Sequence, residues 1–245
     1  MAIDQIEDLI RSLKADREEP LCAYIYDMAQ LRSHVTSLVA TLPTQCRLYY
    51  AIKANSEASI LRAVAPAVHG FEVASLGEIQ RVRAVDGGIP ILFGGPGKTD
   101  EEIAGAIRSR VQLLHVESIH ELQRLEYIAR RMGVVVPVLL RVNVRRALPA
   151  ATLQMAGTPT QFGIDENEIS DAITLAQASR TVNLRGFHFH SISNHLDAEG
   201  HARLVGSYLT RAKDWADEFG LEIDFLNAGG GIGVNYADLD KQFDW

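Results

Sequence analysis

The sequence predicts an α/β fold with a parallel sheet, built either as a barrel that stops before its last strand or as an open doubly wound sheet. Short apolar segments alternate with amphipathic helical stretches along the whole chain, the pattern of repeated strand-helix units with right-handed crossovers. The segments after the first are nearly continuous apolar runs, as strands covered on both faces require. At 245 residues the chain can bury one large core, a length at which α/β barrels often form one domain.

Taken in order, residues 1–19 are charged and helix-like and lack a signal-peptide core. Strands are expected at residues 22–26, 48–53, 70–74, 91–94, 113–117, 136–143, 184–190 and 225–228. Helices fall between them, among others at 100–108, 119–131, 166–179 and 202–219. Thr99-Asp100-Glu101-Glu102 has the form of a capping box and marks a helix start. Residues 145–160, with Pro149, Gly157 and Pro159, read as a mobile loop near a site. If residues 48–53 are the first barrel strand, residues 225–228 are the seventh, and Trp245 arrives before an eighth that would close a barrel. Residues 22–26 then lie outside the barrel count.

Composition removes several functions. A formal net charge of −7 argues against non-specific nucleic-acid binding. No apolar run reaches the length of a membrane span. Cys22 and Cys46 make no disulfide framework, fit a reducing cytoplasm and read as small buried hydrophobes.

The chemistry collects at strand ends, where a parallel barrel places its active site. Lys53 ends an apolar segment and runs into a polar turn. A lysine there is expected to lose hydration, which favours the neutral amine that forms a Schiff base with an aldehyde; a lysine snorkelling from a strand end is the competing reading. Glu72 and Ser75 lie on or beside the second barrel strand, Arg141 and Asn143 end the fifth, and His190 and Ser193 end the sixth. Gly229-Gly230-Gly231 ends the seventh, where its backbone N–H groups can approach an anion or simply form a tight turn. Tyr236 stands where a dinucleotide fingerprint needs its last glycine. Gly94-Gly95-Pro96-Gly97-Lys98-Thr99 is no P-loop, because Leu92 occupies its first glycine position, and reads as a strand-to-helix turn. His188 and His190 share one strand face and suit a metal, a ring stacked on a planar cofactor, or a pair of core histidines. His195 and His201 read as surface or loop residues.

The pieces YYAIKAN at 49–55, FEVASLGEI at 71–79, ILFGGPGK at 91–98, LLHVES at 113–118, LLRVNV at 139–144, QFGID at 161–165, GFHFHSIS at 186–193 and LNAGGGIG at 226–233 occur in one order. Together they resemble the fold-type III pyridoxal-phosphate decarboxylases, which include the ornithine, lysine and diaminopimelate decarboxylases. The likeness runs from about Pro20 to Trp245. MAGTPTQFGIDE at 155–166 and the GGPGK turn narrow it toward decarboxylases of siderophore precursors, of the citryl-diaminopropionate type.

The resemblance implies an alanine-racemase-like (β/α)8 TIM barrel. Residues 46–245 would form the pyridoxal-phosphate-binding barrel, and residues 1–45 a helix and a strand belonging to a separate β-domain. It implies that Lys53 holds pyridoxal 5′-phosphate as a Schiff base and that His190 stacks on the ring. Glu78 would position that histidine, and Arg141 would lie near the ring substituents. Ser193, Gly229, Gly230 and Gly231 would bind phosphate, while Glu72 matches an acidic position that is often aspartate. No metal is implied. The expected activity is decarboxylation of an amino-acid-like small molecule by a cytoplasmic homodimer with no nucleic-acid or membrane partner. The family continues past the glycines into an eighth strand, with a Glu-Pro-Gly-Arg type motif, and a β-domain. Without them this chain is expected to be a fragment and a weak decarboxylase alone. The other readings are a racemase of the same fold, a barrel that carries the cofactor without catalysis, a regulator derived from a decayed decarboxylase, and a metal-dependent hydrolase on His188 and His190.

Overall fold

The strands line up in the order in which the chain makes them. A computed structural model describes residues 3–15, 17–145, 153–154 and 160–245. They fall into two compact units, Met1–Phe71 with Arg81–Ile89, and Glu72–Gln80 with Pro90–Trp245.

The first unit contains α1 (Ile3–Lys14), α2 (Met28–Thr41), β1 (Tyr49–Ala51), a single 3-10 turn (Ile52–Ala54) and α3 (Ala58–Val64). Asp27 caps α2 by accepting the N–H groups of Ala29 and Gln30, each at 3.0 Å. The Leu48 carbonyl accepts the His69 N–H at 2.8 Å, which sets β1 beside the start of β2 (Gly70–Val73). Ile52, Ile60, Leu61 and Val64 are buried.

Strand β2 continues into the second unit. There it is followed by α4 (Leu76–Val85), β3 (Ile91–Phe93), α5 (Asp100–Arg108), β4 (Leu113–Val116), α6 (Ile119–Met132) and β5 (Val136–Asn143). Next come β6 (Leu153–Gln154), β7 (Ile164–Asp165), a 3-10 turn (Glu166–Glu168), α7 (Ile169–Ala178) and β8 (Val182–Phe189). The unit closes with β9 (Ile192–Ser193), α8 (Ala198–Phe219) and β10 (Phe225–Asn227). The sheet runs β2-β3-β4-β5-β8-β10, with β7 against β5, while β6 and β9 form a small antiparallel pair. A doubly wound sheet needs a point where this order reverses. None occurs among the described residues, so the singly wound, barrel-type alternative is the one the chain adopts.

Register assigns the two sheet faces. Arg141 pairs with His188, and His188 with Asn227. These residues share a face with His115 and Asn143 through the period of two. The opposite face of β8 meets α8. Phe187 packs on Trp215 at 4.9 Å and Phe189 stacks on Tyr208 at 4.5 Å. Burying each phenylalanine contributes about 2–3 kcal/mol. Pairing slips by one residue between Val138↔Leu184 and Leu139↔Gly186, so Arg185 is a bulge with no opposite number on β5. A Cβ on Gly186, at φ +141°, would collide with the Phe225 carbonyl.

Thr99 forms the full capping box with Glu102, as its sequence predicts. Helix α8 starts at Ala198, ahead of the expected 202, because the Asp197 side chain accepts the Gly200 N–H and caps it earlier. The strand expected at 22–26 is not formed. Residues 21–27 carry no regular structure, Tyr24 is 90% exposed, and a strand needs a neighbour to pair its backbone groups. Cys22 and Cys46 are exposed free thiols rather than buried hydrophobes, because both lie in segments outside helix and sheet. Of the loop expected at 145–160, residues 146–152 and 155–159 lie outside the described residues. Among the described residues no helix is long and apolar enough to cross a membrane.

Candidate active site

The inner face of the second unit carries a row of polar groups at one level. Glu117 follows β4, Arg141 lies on β5, His188 on β8 and Asn227 on β10. The Arg141 Nη1 donates to both Glu117 oxygens at 2.8 Å. Both side chains are buried, at 9% and 2% exposure. Glu117 also accepts the Gly95 N–H at 2.6 Å and the Gly163 N–H at 3.4 Å. The Arg141 guanidinium lies 4.9 Å over the Phe162 ring. The two backbone N–H groups on Glu117 offset part of the cost of burying the pair.

Below that row, His115 packs its ring 4.2 Å from His188. Burial holds the His115 pKa down to about 3, with the nearby charges of Lys98 and Arg141 acting in the same direction. Burial also pushes His188 well below its ordinary range, followed by His115 and Arg141. Asn227 Nδ2 lies 3.5 Å from His115 Nε2 and 3.4 Å from Glu72 Oε2, linking β2, β4 and β10.

The strand ends of β8 and β10 are clamped together. The His195 N–H donates to the Gly231 carbonyl at 2.8 Å, and the Gly233 N–H donates to the His195 carbonyl at 2.9 Å. Gly230 donates its N–H to His190 Nδ1 at 3.3 Å, and Gly229 donates to Asn227 Oδ1 at 2.8 Å. Gly229 and Gly231 have φ of +72° and +82°. A Cβ on Gly229 would meet the Phe189 carbonyl and come within 2.7 Å of His190 Nδ1; on Gly231 it would meet the Ile192 carbonyl and Ser193 Cα. These glycines are required by close approach as well as by turn geometry. They bring His190, Ser193 and the glycine segment into one cradle.

Of the residues expected at a site, Glu72, Glu78, Arg141, His190, Ser193 and Gly229–Gly231 belong to the second unit. Glu78 accepts the Ala74 N–H at 2.7 Å and so closes the turn between β2 and α4. Lys53 belongs to the first unit, where it sits in the 3-10 turn after β1 and is exposed. β1 stops at Ala51, so Lys53 does not end the strand as expected but lies in the turn that follows it. Near it, the Tyr50 hydroxyl donates to the Asn55 carbonyl at 3.2 Å, and burial pushes that hydroxyl's pKa up. His195 is buried, not a surface residue, because its backbone bridges to Ile232. Glu117, Glu121, His115 and Lys98 were not among the residues expected at a site. The signal was present in LLHVES: two ionisable groups on one face of an apolar strand need partners.

A singly wound parallel sheet with a charged inner row and glycines at its strand ends places its polar groups where barrels collect their functional residues. The chain belongs to the pyridoxal-dependent decarboxylases: residues 28–245 match the family described as "Pyridoxal-dependent decarboxylase, pyridoxal binding domain". It is similar to the 2-[(L-alanin-3-ylcarbamoyl)methyl]-2-hydroxybutanedioate decarboxylase of Staphylococcus aureus, at 49% identity over 240 residues, covering 98% of this chain and 60% of that one. The diaminopimelate decarboxylase of Vibrio cholerae is 33% identical over 231 residues, covering 88% of this chain and 52% of its own. The crystal structure of the Helicobacter pylori diaminopimelate decarboxylase complexed with L-lysine matches 94% of this chain and 58% of its own at a TM-score of 0.79 and 28% identity. The chain thus spans about 60% of the length of the first of these curated relatives. The family and α/β barrel class expected from the motifs are those found.

Proposed function

We propose that this chain is the cofactor-binding part of an enzyme that decarboxylates an α-amino acid. The observation that carries the reading is the cradle in which Gly229 and Gly231 approach the Phe189 and Ile192 carbonyls, beside His190 and Ser193, too closely for any side chain. Gly229 to Gly231 present no Cβ, and the space beside Gly230 is open, so the residues present leave room for a phosphate group. Pyridoxal phosphate, when bound, supplies a ring that accepts the electron pair left as CO2 departs. We assign Lys53 to carry it, His190 to stack on its ring, and Ser193 with Gly229–Gly231 to hold its phosphate. Arg141 is held rigid by Glu117 and faces the ring substituents in this reading. Glu78 positions His190, and Glu72 fixes the cofactor from β2.

The substrate we propose follows the name of the Staphylococcus aureus relative: an L-alanine whose C3 carries a hydroxy-polycarboxylate through an amide, as in a siderophore precursor. We further propose a cytoplasmic homodimer, and a domain division near residue 45 as the family resemblance implies. Mixing the protein with pyridoxal phosphate should give a visible absorption band that Lys53→Ala removes. CO2 should then be released from the amide substrate faster than from diaminopimelate. A band that survives Lys53→Ala sinks the lysine assignment, and equal rates on both substrates sink the substrate assignment.

A further inference from the structure

The turn after β3 buries a lysine that the proposed cofactor chemistry leaves without a task. Lys98 Nζ donates to the Gly95 carbonyl at 2.6 Å, the His115 carbonyl at 2.7 Å and Glu121 Oε1 at 2.7 Å. Three donors meet three acceptors, so the ammonium is fully satisfied. The Lys98 and Glu121 side chains are 1% and 5% exposed. A buried ion pair is poor evidence of stabilisation, since apolar groups of similar size often do as well. Its partners indicate what it does instead.

Both ends of the pair lead to Glu117. Glu121 Oε2 accepts the Glu117 N–H at 3.3 Å. Gly95, whose carbonyl Lys98 holds, gives its own N–H to Glu117 Oε1 at 2.6 Å. Gly95 has φ +116°, and a Cβ there would lie 3.3 Å from the Ala74 carbonyl, so the turn has little freedom to adjust. Glu117 is thus fixed at its backbone through Glu121 and at its carboxylate through Gly95. The same carboxylate receives Arg141 Nη1 on both oxygens. Two cations and two anions form one closed, buried set across β3, β4, β5 and α6.

We propose that Lys98 is a positioning residue for Arg141, acting through Glu121, Gly95 and Glu117; its relevance to catalysis rests on the reading of Arg141 as a cofactor residue. Lys98→Met alone strands the Glu121 carboxylate, so the informative variant is Lys98→Met/Glu121→Gln, which removes both charges. Glu121→Gln alone carries the same test if the double variant does not fold.

The first readout needs no cofactor. Hydrogen exchange of the Arg141 guanidinium, assigned by its absence in Arg141→Lys, should quicken about tenfold or more in a folded Lys98→Met/Glu121→Gln protein. The second is the dissociation constant of pyridoxal phosphate, which should rise about tenfold in that variant and in Arg141→Lys, with little further rise when the two are combined. Unchanged Arg141 exchange in the folded variant overturns the link between Lys98 and Arg141, and so do additive losses of affinity. Arg141→Lys that leaves affinity intact overturns the cofactor reading of Arg141 instead, while the exchange measurement still decides whether Lys98 holds it.

Discussion

Acidification below about pH 6.5 should destabilise the second unit through His115 and His188. Both Nδ1 atoms are buried and have no hydrogen-bond partner among the described residues. Folded His115 takes up a proton only at about pH 3, against an ordinary 6.5. Below 6.5 the unfolded chain therefore binds a proton that the folded chain refuses, so stability is complete above that value and falls as the pH drops toward 3. The slope reaches about 1.4 kcal/mol per pH unit for each such histidine. Between pH 6.5 and 4.5, His115 alone should cost on the order of 2–3 kcal/mol, and His188, displaced in the same direction, should add to it. That is a large share of the roughly 5–15 kcal/mol that holds a domain folded.

Urea melts from pH 7.5 to 4.5, followed by circular dichroism, would measure this loss. His115→Leu removes one of the two groups and should roughly halve the slope. Half-buried His201 is lowered by burial and then by His195, and acts in the same direction. Burial raises Glu121, against the pull of Lys98, and opposes the trend as the pH falls toward 4.5. Both are common to the two proteins and drop out of their difference. A wild-type stability flat between pH 7 and 5, or an undiminished slope in His115→Leu, would refute the reasoning.

Arg141→Met should cost about 3–5 kcal/mol in urea melts, because it leaves the buried Glu117 carboxylate unpaired, and Arg141→Met/Glu117→Leu should recover more than half of that. Gly229→Ala should lower stability by about 1–3 kcal/mol through its positive φ and its contact with the Phe189 carbonyl, whereas Gly230→Ala, with open space around its Cβ, should change it by less than about 1 kcal/mol in the same melts. Thr99→Ala removes the hydroxyl that accepts the Glu102 N–H, one half of the capping box on α5, and should cost about 1 kcal/mol by thermal denaturation.

Features set by nearby residues were readable from the chain. The Thr99 cap, β5 as a continuous apolar run and the glycines after β10 each depend on a few neighbours. The end of β1 at Ala51 did not follow from the apolar approach to Lys53, since a 3-10 turn interrupts an unbroken apolar segment. Residues 22–26 have strand composition, but a strand is a pairing and composition does not supply the partner. The Lys98–Glu121 and Glu117–Arg141 pairs were hidden for a related reason. Their members lie 23 and 24 residues apart, and only the strand order brings them together. His195 looked peripheral because the bridge that buries it comes from Ile232 on another segment.

The bulge at Arg185 bears on how this strand tolerates change over evolutionary time. Arg185 has no opposite residue on β5, and its guanidinium turns to Asp224 at the margin of the sheet. Pairing resumes at Gly186 as if Arg185 were absent, so deleting it would leave Phe187 facing α8 and His188 beside Arg141. A change of length at Arg185 keeps the faces of its neighbours in this strand, at the cost of the Arg185–Asp224 ion pair and the Asp224 N–H bond to the Arg185 carbonyl. A gap aligned there preserves the histidines, while one at His188 would remove that histidine, place Phe189 in the charged row and move His190 to the other face.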